Sequence, residues 1–175
     1  MRNSRYLSFA VSGGFLVMLF WSGCQEQQSQ EGSAVSAEER ATVVSEVTAA
    51  MNSYGTAVGR LDVERTIGHY ANEPEFRVCF DNHVTSYDAF VSQVRQDFAS
   101  MAAVEGGFTS ITVILLGPGV AAAIAPFRER FADQAGNWSP VIKGTVTWVW
   151  VRRGADWKIL YGHATHEPDA SGDKP

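Results

Sequence analysis

The chain has 175 residues and carries 14 basic against 19 acidic side chains, a formal net charge of -5. This length is typical of one domain with a single hydrophobic core. Because the chain is acidic and has no basic stripe, we do not expect it to bind nucleic acid. Its two cysteines, Cys24 and Cys79, form no cluster with histidine at the spacing of a zinc site. We therefore predict neither a metal nor a cofactor.

The N-terminus has the pattern of a secretory signal. Arg2 and Arg5 precede an apolar run over residues 9–21, and residues 22–24 are Ser-Gly-Cys. The run is too short to span a bilayer, and small residues after such a run are typical of a cleavage site. The motif resembles a bacterial lipobox, in which Cys24 is diacylated and becomes the new N-terminus. The alternative is an ordinary signal peptide that leaves Cys24 as a free thiol.

The lipobox resemblance implies a location as well as an anchor. An acylated Cys24 would attach the protein to a membrane of the cell envelope. Gln25, and not aspartate, follows this cysteine. For a Gram-negative source, the resemblance then implies the periplasmic face of the outer membrane.

Composition divides the rest of the chain into three parts. After a signal peptide over residues 1–23, residues 24–37 are polar and aperiodic, which predicts a flexible tether. Residues 38–167 carry the patterned sequence of a domain. The polar residues 168–175 predict a frayed tail.

Three helices are predicted in the first half of the domain. Ser36 and Glu39 have the spacing of a capping box, and apolar residues then recur every three or four positions as far as Val58. Asp62 can cap a second, shorter helix. A third helix is expected from Ser86. Its predicted apolar face consists of Phe90, Val91, Val94, Phe98 and Met101.

The second half of the domain predicts antiparallel strands. The strand-like runs are residues 76–80, before the third helix, and 111–116, 120–131, 141–152 and 157–166 after it. Helices followed by a meander of long strands favour an α+β fold. We expect a cone-shaped fold, with three N-terminal helices packed on one face of a curved antiparallel sheet.

Three short motifs carry a resemblance to a known family. They are Leu61-Asp62, the Tyr-Ala-Asn-Glu segment 70–73, and the segment 157–165, which begins Trp-Lys-Ile and contains His163-Ala-Thr. In order and spacing they resemble the nuclear-transport-factor-2-like superfamily, in particular its SnoaL-like and ketosteroid-isomerase-like members. The resemblance covers residues 38–167. It implies the same cone-shaped fold, with a cavity that can hold a small molecule.

The ketosteroid isomerase chemistry itself is not expected here. Such an enzyme uses an inward tyrosine, a neutral acid and an aspartate base. By the register of the resemblance, Tyr54 matches the tyrosine, but the base position falls on Val78. No aspartate lies in the strand 145–151, where the second acid is expected. Two of the three catalytic positions are therefore not filled.

Other polar residues are candidates for the cavity. His163 shares strand parity with Trp157, Ile159 and Tyr161, so we expect it to point inward, either as a ligand contact or as a core histidine. His69 lies beside the second helix, on the opposite wall or in solvent. Glu129 faces inward unless a bulge at Pro126 intervenes, and it would then be the best replacement base.

Aromatic and aliphatic residues complete the predicted site. The expected wall residues are Phe76, Val78, Phe80 and Trp148. For Trp148 and Trp150 there are two interpretations: they line the cavity, or they cover the outer sheet face and pair two subunits. The second interpretation predicts a homodimer through the sheet.

Two classes of function follow. In the first, the domain binds a small apolar or aromatic molecule, oriented by Tyr54 and His163, and an isomerase or cyclase-like reaction using Tyr54 with His163 or Glu129 is a variant of this class. In the second, the domain is a non-catalytic dimerisation or protein-interaction module. An enclosed cavity bearing at least two of Tyr54, His163, His69 and Glu129 favours the first class. A cavity filled by phenylalanines favours the second.

Overall fold

The computed structural model describes residues 35–167, and the predicted signal peptide and Cys24 lie outside these residues. Helix α1 spans Ala37–Gly59, and the Ser36 hydroxyl accepts a hydrogen bond from the Glu39 amide at 3.0 Å. The Asp62 carboxylate caps α2, Val63–Ile67, in the same way. Both caps occupy the predicted positions because each side chain satisfies an amide that lacks a partner within its helix.

Fewer residues of α1 are buried than its stripe of apolar residues predicts. Val43, Val47 and Met51 are buried in the core, whereas Val44 is 37% exposed. Adjacent positions on a helix are separated by about 100°. The Val44 side chain therefore turns away from the core that Val43 enters.

Helix α3 spans Tyr87–Ser100 and is shorter than predicted. The Gln134 side-chain amide donates to the carbonyls of Ala99 and Met101 at the end of this helix. Met101 then begins a strand where the sequence pattern predicts a helix. The alanines in this segment are compatible with a helix, but pairing with a neighbouring strand determines its conformation.

The strands of the described segment, residues 35–167, form one sheet of seven. They are β1 Arg77–Phe80, β2 His83–Thr85, β3 Met101–Phe108, β4 Thr112–Gly117, β5 Val120–Asp133, β6 Ile142–Arg153 and β7 Asp156–His166. The order is β2-β1-β7-β6-β5-β3, with β4 also paired to β5. The pairs are antiparallel except β1 with β7. The fold is α+β, with the helices packed on one face of an antiparallel-dominated sheet, as predicted.

Strand β5 is long enough to pair with two strands on one side. Its first half pairs with β4 and its second half with β3. Gly106 on β3 has φ +107°, and a Cβ there would lie 2.1 Å from the Arg128 carbonyl oxygen. Only glycine fits this approach between the two backbones.

Both central tryptophans of β6 face the helices. Trp148 is 2% exposed and Trp150 is fully buried. Trp148 lies in a cross-strand row between Ala123 and Gly162, where a Cβ on the glycine would lie 3.1 Å from the indole. The interpretation that places these rings on the outer face is therefore wrong. Small residues on the neighbouring strands leave room for the rings on the inner face.

An irregularity in β7 changes which residues of that strand face inward. Trp150 is opposite Ile159 but Val149 is opposite Tyr161, so Leu160 is an extra residue in the ladder. Beyond this bulge the inner positions are Gly162, Ala164 and His166. The prediction that His163 points into the cone is corrected for this reason.

No helix within residues 35–167 combines the length and the apolar composition needed to cross a membrane.

Candidate functional site

A cavity of about 400 Å³ lies between the helices and the inner face of the sheet. Helices α1 and α3 supply one wall, and strands β3, β5, β6 and β7 supply the other. Its aromatic lining residues are Tyr54, Phe80, Phe90, Phe98, Phe108, Phe127, Phe131 and Trp148. The cavity volume is in the range of small-molecule sites, and its walls are mostly apolar, as in such sites.

Tyr54 brings a hydroxyl to this cavity. Its oxygen accepts a hydrogen bond from the Tyr70 hydroxyl at 3.0 Å, so the Tyr54 proton is free to be donated. Burial raises the pKa of Tyr54 to about 12, against the opposing effect of the Tyr70 hydrogen bond. Tyr54 is therefore a neutral hydrogen-bond donor at physiological pH.

The Tyr54 ring is held on several sides. Its centroid lies 4.6 Å from Trp148 and 5.8 Å from Tyr70, both in edge-to-face geometry. Tyr70 is buried and desolvation raises its pKa well above the usual value. This packing fixes the direction of the Tyr54 hydroxyl before any ligand arrives.

Glu129 places a carboxylate in the same cavity. The pairing of β5 with β6 continues without a register shift through Pro126, so the bulge that would have turned Glu129 outward does not occur. Its cross-strand neighbours are Gly106 and Ile142, neither of which can form an ion pair with it. Desolvation raises the pKa of the Glu129 carboxyl. Within residues 35–167 it forms no salt bridge or side-chain hydrogen bond.

A second polar pair lies at the end of β7. The His166 Nδ1 atom lies 2.5 Å from an Asp81 carboxylate oxygen, and the His166 amide donates to the other oxygen at 3.2 Å. The hydrogen bond from His166 lowers the pKa of Asp81. His166 lines the cavity. Asp81 therefore fixes the orientation of an imidazole in the cavity wall.

Asp81 and His166 are not among the predicted site residues, because no local pattern indicates that the residue after β1 meets the end of β7. Asp81 and Asn82 have φ values of 45° and 73° in the tight turn between β1 and β2. An Asp-Asn pair is a known signal for such a turn, but its position beside β7 depends on the parallel β1–β7 pairing.

The predicted site residues separate into two groups. Tyr54, Phe80, Trp148 and Glu129 line the cavity. Phe76 and Val78 are fully buried in the core instead of lining the cavity. They support its wall but do not reach its interior.

The two predicted histidines also lie outside the cavity lining. His163 occupies the outer face, in a row with Ile124, Thr147 and Cys79. His69 binds the Ser53 hydroxyl at 3.1 Å and the Arg65 carbonyl at 2.7 Å. Desolvation lowers the pKa of His69, which favours its neutral form. These contacts connect α2 to α1.

Among residues 35–167, no group of three or more histidine, cysteine or acidic side chains has the geometry of a metal site.

The raised pKa of Glu129 predicts a pH-dependent cost to stability. Because the pKa is raised on folding, the native state is stabilised below the unfolded pKa, and this stability is lost as the pH rises through the folded pKa. We expect Glu129→Gln to increase the free energy of unfolding at pH 8 and to have little effect at pH 4. Urea denaturation at both pH values measures this. An equal effect of the substitution at the two pH values would contradict a desolvated carboxylate.

Neither a family model nor a curated protein matches this sequence. Solved structures do match the fold. One is a nuclear transport factor 2-like superfamily protein from Salmonella enterica serovar Typhimurium, with 14% identity, TM-score 0.66, and coverage of 78% of this chain and 99% of that chain. Another is a scytalone dehydratase candidate from Novosphingobium aromaticivorans, with 10% identity, TM-score 0.67, and coverage of 76% and 89%. A third, an NTF2-like protein of unknown function from Shewanella oneidensis, has 12% identity, TM-score 0.56, and coverage of 70% and 98%. The chain therefore has the nuclear-transport-factor-2-like fold.

Proposed function

We propose that this protein binds a small, flat apolar or aromatic molecule inside the cone. The observation that carries the proposal is a partly open, aromatic-walled cavity that is lined by both Tyr54 and Glu129. Aromatic walls with few polar groups are typical of sites that bury most of a ligand and orient it through those groups. The Tyr54 proton is directed to a ligand carbonyl, hydroxyl or phenolate oxygen.

The positions of the phenylalanine side chains favour a ligand-binding domain over an interaction module. Phe80, Phe90 and Phe98 form the walls of the cavity and leave about 400 Å³ between them. A module that used only its outer surfaces would gain stability by filling this volume, because empty space in a core costs packing energy. The retained volume favours a ligand.

We expect Tyr54→Phe to weaken the binding of a flat ligand that carries an oxygen acceptor. A neutral hydrogen bond contributes about 0.5 to 1.5 kcal/mol, so the loss should be about two- to tenfold in Kd. Calorimetric titration of the purified protein with a naphthol or naphthyl ketone measures it. His163→Ala is the matched control, since His163 lies on the outer face, and it should leave Kd unchanged. A reversed pattern would place the ligand elsewhere.

A second candidate function is proton transfer on the bound molecule. Glu129 favours it, since a desolvated carboxylate with a raised pKa is a suitable general base. In this reaction Glu129 would remove a proton from the carbon beside a ligand carbonyl, while the Tyr54 hydroxyl stabilises the enolate oxygen. The scytalone dehydratase candidate of the same fold is compatible with acid–base chemistry in such a cone.

Solvent deuterium incorporation into a bound cyclic ketone tests this candidate. Wild-type protein should accelerate the exchange, and Glu129→Gln should abolish the acceleration while the ketone still binds. Exchange that persists in the Glu129→Gln variant would assign the base elsewhere and remove this candidate.

We also propose that acylated Cys24 anchors the domain in the cell envelope, on the periplasmic face of the outer membrane in a Gram-negative cell. The support is the Ser-Gly-Cys motif after the apolar run. In cells given an alkyne fatty acid, the wild-type protein should become labelled and sediment with membranes. Cys24→Ala should lose the label, and Cys79→Ala should keep it. A wild-type protein without label would contradict the anchor.

We further propose that the outer sheet face pairs two copies of the chain. The two tryptophans of β6 face the core, so they do not support this dimer. Its support is a row of residues that crosses the outer face from β4 to β7: Ile114, Ala122, Val149 and Tyr161. Ile114 and Tyr161 are 44% and 42% exposed, and exposed apolar patches commonly mark interfaces.

Ile114→Glu should convert such a dimer to a folded monomer in sedimentation, since an unpaired charge is costly in a dry interface. Val44→Glu is the control. Val44 is 37% exposed on helix α1, away from the outer sheet face, and its substitution should leave the dimer intact. A wild-type protein that is monomeric at tens of micromolar would contradict the proposal.

A further inference from the structure

Carboxylates outnumber the cationic side chains in the cavity wall. Asp97 and Glu129 contribute carboxylates, and neither lysine nor arginine is among the lining residues that the structure describes. Apart from Tyr54, the remaining ionisable side chain of the wall is His166, which is hydrogen-bonded to Asp81. His166 also lies close enough to Glu129 for its charge to lower the pKa of that carboxyl, against the larger effect of desolvation. The cavity presents a net negative potential to whatever enters it.

The aromatic walls also favour a positively charged ligand. Each aromatic ring has a negative face, and a cation over that face is attracted to it. Trp148, which gives the strongest interaction of this kind, lies 4.6 Å from Tyr54 and 5.5 Å from Phe108 between ring centroids. Trp148 is 2% exposed, so the attraction at this ring is less screened than at the protein surface.

Beside the donors of Tyr54 and Trp148, the wall carries acceptors that lack a donor among the described residues. Glu129 has no side-chain partner within residues 35–167. Thr66 is 1% exposed and lines the cavity, and its hydroxyl oxygen has no hydrogen-bond partner among these residues. Asp97 accepts one bond, from the Gln93 amide at 2.7 Å, and its other oxygen remains available. A protonated amine has three donors and no acceptor, which complements these groups.

We propose that the ligand of this cavity is a protonated amine carried on an aromatic or apolar body, with its ammonium group bound by Glu129. This inference rests on the proposed ligand-binding function and narrows it to a chemical class. The ammonium relieves the desolvation of the Glu129 carboxylate, and the body packs against the aromatic wall. The same arrangement excludes carboxylates and phosphates, for which the described cavity wall offers no lysine or arginine partner.

Three probes with one body test the inference. They are 2-(1-naphthyl)ethylammonium, the neutral 2-(1-naphthyl)ethanol and the anionic 1-naphthylacetate, titrated calorimetrically into the purified protein at pH 7. The ammonium should bind about ten- to a hundredfold more tightly than the alcohol, the range for a hydrogen bond to a charged group. The carboxylate should bind more weakly than the alcohol.

Two variants test whether Glu129 causes the preference for the ammonium probe. Glu129→Gln keeps the shape of the side chain without its charge, and it should bring the ammonium to within about threefold of the alcohol while the alcohol affinity stays constant. Glu75→Gln is the control, because Glu75 is exposed and is not among the residues lining the cavity. It should retain the full preference of the wild type.

The outcomes separate this inference from the proposed function. If the alcohol or the carboxylate binds wild type as tightly as the ammonium, the cation assignment is wrong and ligand binding stands. If Glu75→Gln and Glu129→Gln lose the preference equally, a general surface charge explains it and the Glu129 assignment is wrong. If none of the three probes binds at millimolar concentration, the proposed function fails together with this inference.

Discussion

The cavity depends on how two tryptophans are accommodated on the inner face of the sheet. Trp148 and Trp150 stand side by side on that face, with ring centroids 6.0 Å apart. The facing positions on β5 are Ala123 and Ala121, which leave room for the indoles. Large rings beside small residues fill the base of the cone to native density, and helix α1 packs above them. Larger residues at these alanine positions would displace both rings, and with Trp148 a part of the cavity wall.

The polar groups are positioned by the same packing. Tyr54 contacts Trp148 from the α1 side and receives its hydrogen bond from Tyr70, which follows α2. Helix α1, strand β6 and the segment after α2 therefore together fix the direction of the Tyr54 hydroxyl. A site assembled on packed helices and strands is more rigid than one on loops, and it needs less ordering when a ligand binds.

The cavity combines features that oppose stability. A desolvated carboxylate that has no partner among residues 35–167 is unfavourable in the free protein, and so is the buried Thr66 hydroxyl, which has none among them either. Folding energy elsewhere must offset both, for example at the cluster where Trp157 and Arg152 donate hydrogen bonds to Glu46. Polar groups left unsatisfied in a preformed cavity are the groups that a ligand can satisfy.

The sequence by itself determined the local structure and the fold class. The caps at Ser36 and Asp62, the strands β4 to β7 and the inward position of Tyr54 follow from spacing and alternation, which depend on neighbouring residues alone. Only the tertiary structure decided the rest. The extra residue Leu160 reverses the facing of β7, so that His166 and not His163 enters the cavity. Strand β3 exists because β5 offers it a partner, and Asp81 reaches His166 because β1 pairs with β7. A bulge and a long-range strand pairing are set by the balance of contacts across the whole sheet, and no short stretch of sequence specifies them.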